Sequence, residues 1–181
     1  FISHAKSILP ENFKIATVIN FPKGIANNTI LEREIITAIS YGADELDVVL
    51  PYRTFLSGDI DFCKEYLNIA RETCQEKILK IIIETGELKD ITAIKKATQL
   101  CIDANADFVK TSTGFSNSGA TVNDVKLINS GFKVVILSAI LSSVILEIIW
   151  GNIFCFPKKY PLNILDILIK GKTNPIDKIG K

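Results

Sequence analysis

The sequence predicts an α/β fold in which a parallel sheet, covered by helices, makes up part of a (β/α)8 TIM barrel. Three observations predict it. Apolar runs rich in β-branched residues begin at Lys14, Glu45, Ile78 and Asp107, so their starts are 31, 33 and 29 residues apart. Segments with the apolar spacing of helices fill the intervals, as a repeated βα unit requires. Polar residues (Asn20, Asp47, Glu84 and Lys110) fall at or near the carboxyl ends of those runs. An open doubly wound sheet would share the first two features. In a barrel the strand ends converge on one mouth, where Asp47 and Lys110 can pair and so offset the cost of burying charge.

Each element follows from local chemistry. "FISHAKSIL" (1–9) reads as the tail of an amphipathic helix. The runs "KIATVINF", "ELDVVL", "ILKIIIET" and "DFVKTS" are near-continuous in apolar content, the pattern of strands covered on both faces. Between them lie "TILEREIITAISYG", "IDFCKEYLNIARETC" and "ITAIKKATQLCIDAN". Asp59 and Asp90 stand where the second and third of these helices start, as N-caps. Gly42 and Asn105 stand where the first and third stop, as left-handed C-caps. Residues 14–112 are therefore expected to form four parallel strands with three intervening helices. The outer strands, at Lys14 and Asp107, are expected to present open edges.

Composition narrows the function classes. The 21 basic and 20 acidic residues balance, so no bulk field favours nucleic acid or an anionic membrane. Four cysteines (Cys63, Cys74, Cys101, Cys155) form no C-x-x-C pair and there is one histidine, His4, which gives little support to zinc or a disulfide framework. Cysteine usage fits a reducing compartment. No basic segment followed by a cleavable apolar stretch opens the chain. The absence of methionine and the opening inside a helical pattern are what a piece of a longer chain would show.

At 181 residues a single domain can bury a core and hold a site in it. Lys110 ends its strand and runs into "TSTG". It is either a surface lysine reaching water or an amine held at a pocket mouth, where desolvation and nearby cations would free it to attack a carbonyl. In "ELDVV", Glu45 and Asp47 point to one face and Leu46 and Val48 to the other. Asp47 is then a structural carboxylate or a proton shuttle. Lys80 is a strand-end lysine or a cation paired with Asp47. Glu84 is expected to hydrogen-bond the loop rather than act in chemistry. The hydroxyl-rich "TSTGFSNSGAT" (111–121) is a phosphate cradle or an ordinary loop.

Taken together, "KIATVINFPKG", "YGADELDVVLPYR", "KIIIETGELKD" and "ADFVKTSTGFSNSGAT" resemble deoxyribose-phosphate aldolase, a class I aldolase, in this order and spacing over residues 1–130. The resemblance implies a (β/α)8 barrel that cleaves 2-deoxyribose 5-phosphate to acetaldehyde and glyceraldehyde 3-phosphate, with neither metal nor organic cofactor. It implies that Lys110 forms the Schiff base, that Asp47 acts with a second lysine in proton relay, and that Lys80 sits beside that aspartate. It further implies a small phosphorylated sugar as the partner, a cytoplasmic location and a homo-oligomer, often a dimer. Lys133, in Gly131-Phe132-Lys133, stands nearest to the family's second lysine, but valine and isoleucine follow where the family has glycines.

Residues 131–181 depart from the pattern. Of the 23 residues from Val134 to Phe156, 17 are apolar, and a lysine-, isoleucine- and asparagine-rich stretch follows. The division expected is an aldolase-like segment at 1–130 and a divergent tail at 131–181 that is not natively folded, as translation out of frame would give. Two alternatives accompany the aldolase reading. One is a catalytically inactive remnant, because the second lysine and the phosphate loops are missing. The other is a membrane- or partner-associated module using residues 134–156, although Glu147 opposes insertion.

Overall fold

The computed structural model describes residues 1–129 and 134–135, all within one compact unit, Phe1–Ile140. Of the tail at 131–181 only Val134 and Val135 are described, as a short strand; Lys133 and the other tail residues, on which the membrane-module and unfolded-tail expectations rest, lie outside the described residues. In chain order the elements are α1 (Ile2–Ile8), β1 (Ala16–Ile19), α2 (Asn28–Ser40), β2 (Glu45–Val49), α3 (Tyr52–Leu56), α4 (Ile60–Cys74), β3 (Ile78–Ile82), α5 (Thr85–Leu88), α6 (Ile91–Asp103), β4 (Phe108–Lys110), α7 (Val122–Asn129) and β5 (Val134–Val135).

The sheet is wholly parallel and its order is the chain order, β1-β2-β3-β4-β5. The four expected strands are present. A fifth, short strand corrects the expectation that β4 is an edge, because Val109 and Lys110 pair with Val134 and Val135. Among the described residues β1 pairs only with β2, in the register Ala16↔Glu45 to Ile19↔Val48.

Alternation along the strands separates two faces. Leu46 and Val48, Leu79 and Ile81, and Val109 share one face, and all are completely buried. The helices meet the core with residues three or four apart: Leu31, Ile35 and Ala38 on α2; Cys63, Tyr66, Leu67, Ala70 and Cys74 on α4; Ile94, Ala97 and Cys101 on α6. Removing such side chains from water, at roughly 1.5–3 kcal/mol each, is what sets the register of every βα unit. The opposite face carries Glu45, Asp47, Lys80 and Lys110.

The amino ends of β2 and β4 are built alike. Gly42 (φ +98°) and Asn105 (φ +53°) take the left-handed conformation after α2 and α6. The next residues, Ala43 and Ala106, are buried and donate to the carbonyls of Ala38 and Cys101, both at 3.0 Å. Asp44 and Asp107 then each accept the backbone N–H of a residue beside them, Ile15 and Leu79, both at 2.9 Å. Lys6 closes the first carboxylate at 2.7 Å and Arg71 the second at 2.9 Å. Asp59 and Asp90 cap α4 and α6 through the amides of Phe62 and Ala93. Among the described residues no helix is long and apolar enough to cross a membrane.

Candidate functional site

Three of the sequence-predicted residues come together on one face of the sheet: Asp47 and Lys80 midway along β2 and β3, rather than at their ends as expected, and Lys110 at the carboxyl end of β4. Asp47 and Lys80 are register partners across β2 and β3, and Ile82 is the partner of Lys110. Lys110 therefore lies two residues further toward the mouth than Lys80, on the same face. Its Nζ donates to Asp47 Oδ2. Lys80 Nζ sits 3.2 Å from Asp47 Oδ1 and 2.5 Å from Glu45 Oε2. The result is a linear chain of charge, Lys110–Asp47–Lys80–Glu45, with Asp47 shared by two amines. Asp47 and Lys110 are 6% and 3% exposed, which excludes the surface-lysine reading of Lys110.

Energetics explain why the four groups stay together. Each charge removed from water costs several kcal/mol, and only close counter-charges offset it. Burial opposes the ammonium of Lys80, yet the Asp47 and Glu45 carboxylates outweigh burial and hold Lys80 above the ordinary lysine value. Lys80 is thus the fixed cation of the cluster, and Glu45 is a member that the sequence reading placed on the right face but gave no role.

Glu84 lies at the end of β3 with a left-handed backbone (φ +55°) and is 2% exposed. Its carboxylate accepts the backbone N–H of Thr113 at 3.1 Å and the Thr113 hydroxyl. Ser116 Oγ lies 3.0 Å from Glu84 Oε1 and 2.9 Å from the Ser118 carbonyl, its one proton serving one of the two. Glu84 therefore holds the loop after β4, as the sequence suggested. The hydroxyls of Thr85, Thr111 and Ser112 are buried here and have no hydrogen-bond partner among the described residues.

Asn20, at the end of β1, organises the first loop. Its side chain donates to the Ile25 carbonyl and to Tyr66 Oη, both at 2.7 Å, and accepts from the Ile25 amide at 2.9 Å. Tyr66 in turn donates to the Val49 carbonyl at 3.2 Å. The sequence offered Asn20 only as a polar residue at a strand end. The tyrosine that completes its network lies 46 positions away, beyond the reach of any local pattern.

Fold and cluster define the class first: a barrel-type α/β protein with its buried polar centre reaching the carboxyl end of β4. Within that class the chain belongs to the DeoC/LacD aldolase family, whose model matches residues 1–139. Solved structures agree. The aldolase QR15 is 39% identical, with a TM-score of 0.70 over 74% of this chain and 61% of QR15. A protein from Coccidioides immitis assigned as a deoxyribose-phosphate aldolase is 28% identical, with a TM-score of 0.69 over 74% of this chain and 55% of its own. The deoxyribose phosphate aldolase of Aeropyrum pernix, described as a tetramer, is 26% identical, with a TM-score of 0.64 over 79% of this chain and 61% of its own. The chain thus spans between 55% and 61% of the length of these three relatives.

Proposed function

We propose that this chain carries the centre of a Schiff-base aldolase acting on 2-deoxyribose 5-phosphate, with Lys110 as nucleophile and Asp47 as proton carrier. The observation that carries the reading is the buried contact between the Lys110 amine and an Asp47 carboxylate that Lys80 also holds. A structural pair would serve equally well as leucine and valine, and a lysine at this depth is retained at a cost.

The chemistry follows from those positions. Lys110 gives up a proton, with Asp47 the acceptor in contact, and its lone pair attacks the aldehyde carbon of the open-chain sugar. Loss of water leaves an iminium. The iminium draws the electron pair of the C2–C3 bond into an enamine as the C3 hydroxyl loses its proton, and glyceraldehyde 3-phosphate departs. Protonation of the enamine carbon and hydrolysis then release acetaldehyde and return the amine. Asp47 is placed to carry protons in both directions while Lys80, remaining charged, keeps a cation beside it. The buried hydroxyls of Thr111 and Ser112 are candidate donors to the carbinolamine oxygen. A cytoplasmic location and a homo-oligomer accompany this reading.

The test is borohydride trapping. Incubation of the chain with 2-deoxyribose 5-phosphate and borohydride, followed by peptide mass spectrometry, is expected to place one reduced adduct on Lys110 and none in Lys110→Ala. An adduct on another lysine overturns the assignment. Absence of any adduct favours the inactive-remnant reading.

A further inference from the structure

We infer that Glu84 is a positioning residue, the anchor that fixes the loop after β4 over the mouth next to Lys110. The inference rests on the aldolase reading and assigns a part of the site that the Schiff-base chemistry does not use. Three separate contacts define the anchor. Glu84 receives Thr113 through two groups and lies within reach of Ser116. The Thr85 amide donates to the Thr111 carbonyl at 2.8 Å, and the Ile83 amide to the Lys110 carbonyl at 3.0 Å, so the backbone on both sides of Glu84 is tied to β4. Gly86 receives the far side of the loop: a Cβ there would stand 2.5 Å from Ser118 Oγ and 2.6 Å from the Ser118 carbonyl oxygen.

The loop is closed at its other end by reciprocal bonds between Thr121 and Asp124, both at 3.1 Å, at the start of α7. Between these two fixed points it carries Phe115, whose ring meets Phe21 edge-on with centroids 5.3 Å apart. Phe21 follows β1 and Phe115 follows β4, and these strands flank the β2–β3 pair that holds Asp47 and Lys80. The anchored loop therefore reaches back across the mouth. A buried carboxylate at the root of such a loop is an expensive choice for mere loop closure, because a carboxylate must be matched by several donors before its burial is offset. Here the donors all belong to the loop, so the loop's position and the carboxylate's burial are one event.

A consequence separates positioning from plain structure. Lys110 is held by its own strand and by Asp47, neither of which needs Glu84. Releasing the loop should impair how a substrate is received, while a substrate once bound still meets an intact amine. The experiment measures the rate of borohydride trapping of the full chain against 2-deoxyribose 5-phosphate concentration, for wild type, Glu84→Gln and Gly86→Ala. The second variant displaces the same loop from its other side and leaves Glu84 in place. Both are expected to raise the half-saturating concentration by about ten-fold or more, with the saturating rate within about three-fold of wild type and cooperative melting retained. Unchanged half-saturation, or loss of both parameters together with cooperative melting, overturns the proposal. Should the wild type form no adduct, it is the aldolase reading that fails. The anchor is then read from amide exchange of residues 113–119, where acceleration in Glu84→Gln supports it and exchange equal to wild type overturns it.

Discussion

The two ends of the same strands treat charge in opposite ways. At the amino ends, Asp44 and Asp107 each accept the backbone N–H of a residue beside them and are closed by cations, Asp44 by Lys6 of α1 with Lys14 at 3.7 Å and Asp107 by Arg71 of α4. Neither carboxylate joins the other's network, and each finishes a local turn. Further along, from the middle of β2 and β3 to the carboxyl end of β4, Asp47 is held by two lysines and accepts no backbone N–H among the described residues, Lys80 is divided between two carboxylates, and three buried hydroxyls have no partner among the described residues. Polar groups at the amino ends complete the fold, and the sheet would be poorer without them. Those further along are supported by one another, an arrangement that contributes little to folding and keeps an amine and a carboxylate in contact away from water.

If that contrast is right, mutations at the two ends should be separable by what they damage. The largest effect is expected for Lys110→Ala, which should abolish the trapped adduct and reduce any deoxyribose 5-phosphate cleavage by about a thousand-fold or more. Cleavage persisting at a tenth of wild type would remove Lys110 from the chemistry and break the comparison at once. Next comes Asp47→Ala, which leaves two buried amines with only Glu45 between them. Its cost should be about 3–5 kcal/mol in urea unfolding, because an uncompensated buried charge remains. Replacing all four of Glu45, Asp47, Lys80 and Lys110 with apolar residues of similar volume should recover much of that loss, a result that no amino-end carboxylate would mirror.

A smaller effect is expected at the other end. Asp107→Asn keeps the shape but weakens the acceptor for Leu79 and the partner of Arg71, and should cost about 1–2 kcal/mol. The trapping rate should stay within about two-fold of wild type, since the site is built on different residues. A large change in trapping at constant fold would show that the two ends are coupled after all.

The same division explains what could be read from the sequence. The repeat of apolar runs, the aspartate N-caps and the Gly42 and Asn105 C-caps were legible because each is a local rule acting within a few residues. So was the convergence of Asp47, Lys80 and Lys110, because strand alternation and barrel geometry together fix where such side chains point. The short helices Tyr52–Leu56 and Thr85–Leu88 were not legible. Each is a turn or so of backbone bonding with no apolar period, as where Phe55 donates to the carbonyl of Pro51 at 2.9 Å. The pairing of β4 with Val134–Val135 was missed because the apolar run there continues without a break, giving no boundary. Glu45 escaped for another reason: a carboxylate on the correct face gains a role only when its register partners are known, and Lys80 reaches it from the next strand.

The smallest expected effect concerns pH, and it sharpens the comparison because the two ends should respond at opposite extremes. Burial raises the Asp44 pKa, but the hydrogen bonds from Lys6 and Ile15 and the charges of Lys6 and Lys14 outweigh it and leave Asp44 below the ordinary aspartate value. Its contribution is therefore complete above the unfolded pKa, near 3.9, and fades as pH falls through the folded value. Lys80 is shifted the other way, upward, by Asp47 and Glu45 against its burial. Its contribution is complete below the unfolded lysine pKa, near 10.4, and fades as pH rises through the folded value. Between these limits neither group should make stability depend on pH. The check is the difference in melting free energy between wild type and Asp44→Asn, and between wild type and Lys80→Met, each followed across pH. The Asp44 difference, about 1 kcal/mol at neutrality, should shrink only in acid. The Lys80 difference should hold its neutral value up to the ordinary lysine range and should change only above about pH 10. A Lys80 difference that moved between pH 6 and 9 would mean that its amine titrates near neutrality. Lys80 would then be a proton carrier rather than the fixed cation beside Asp47, and the chemical role assigned to Asp47 would have to be shared with it.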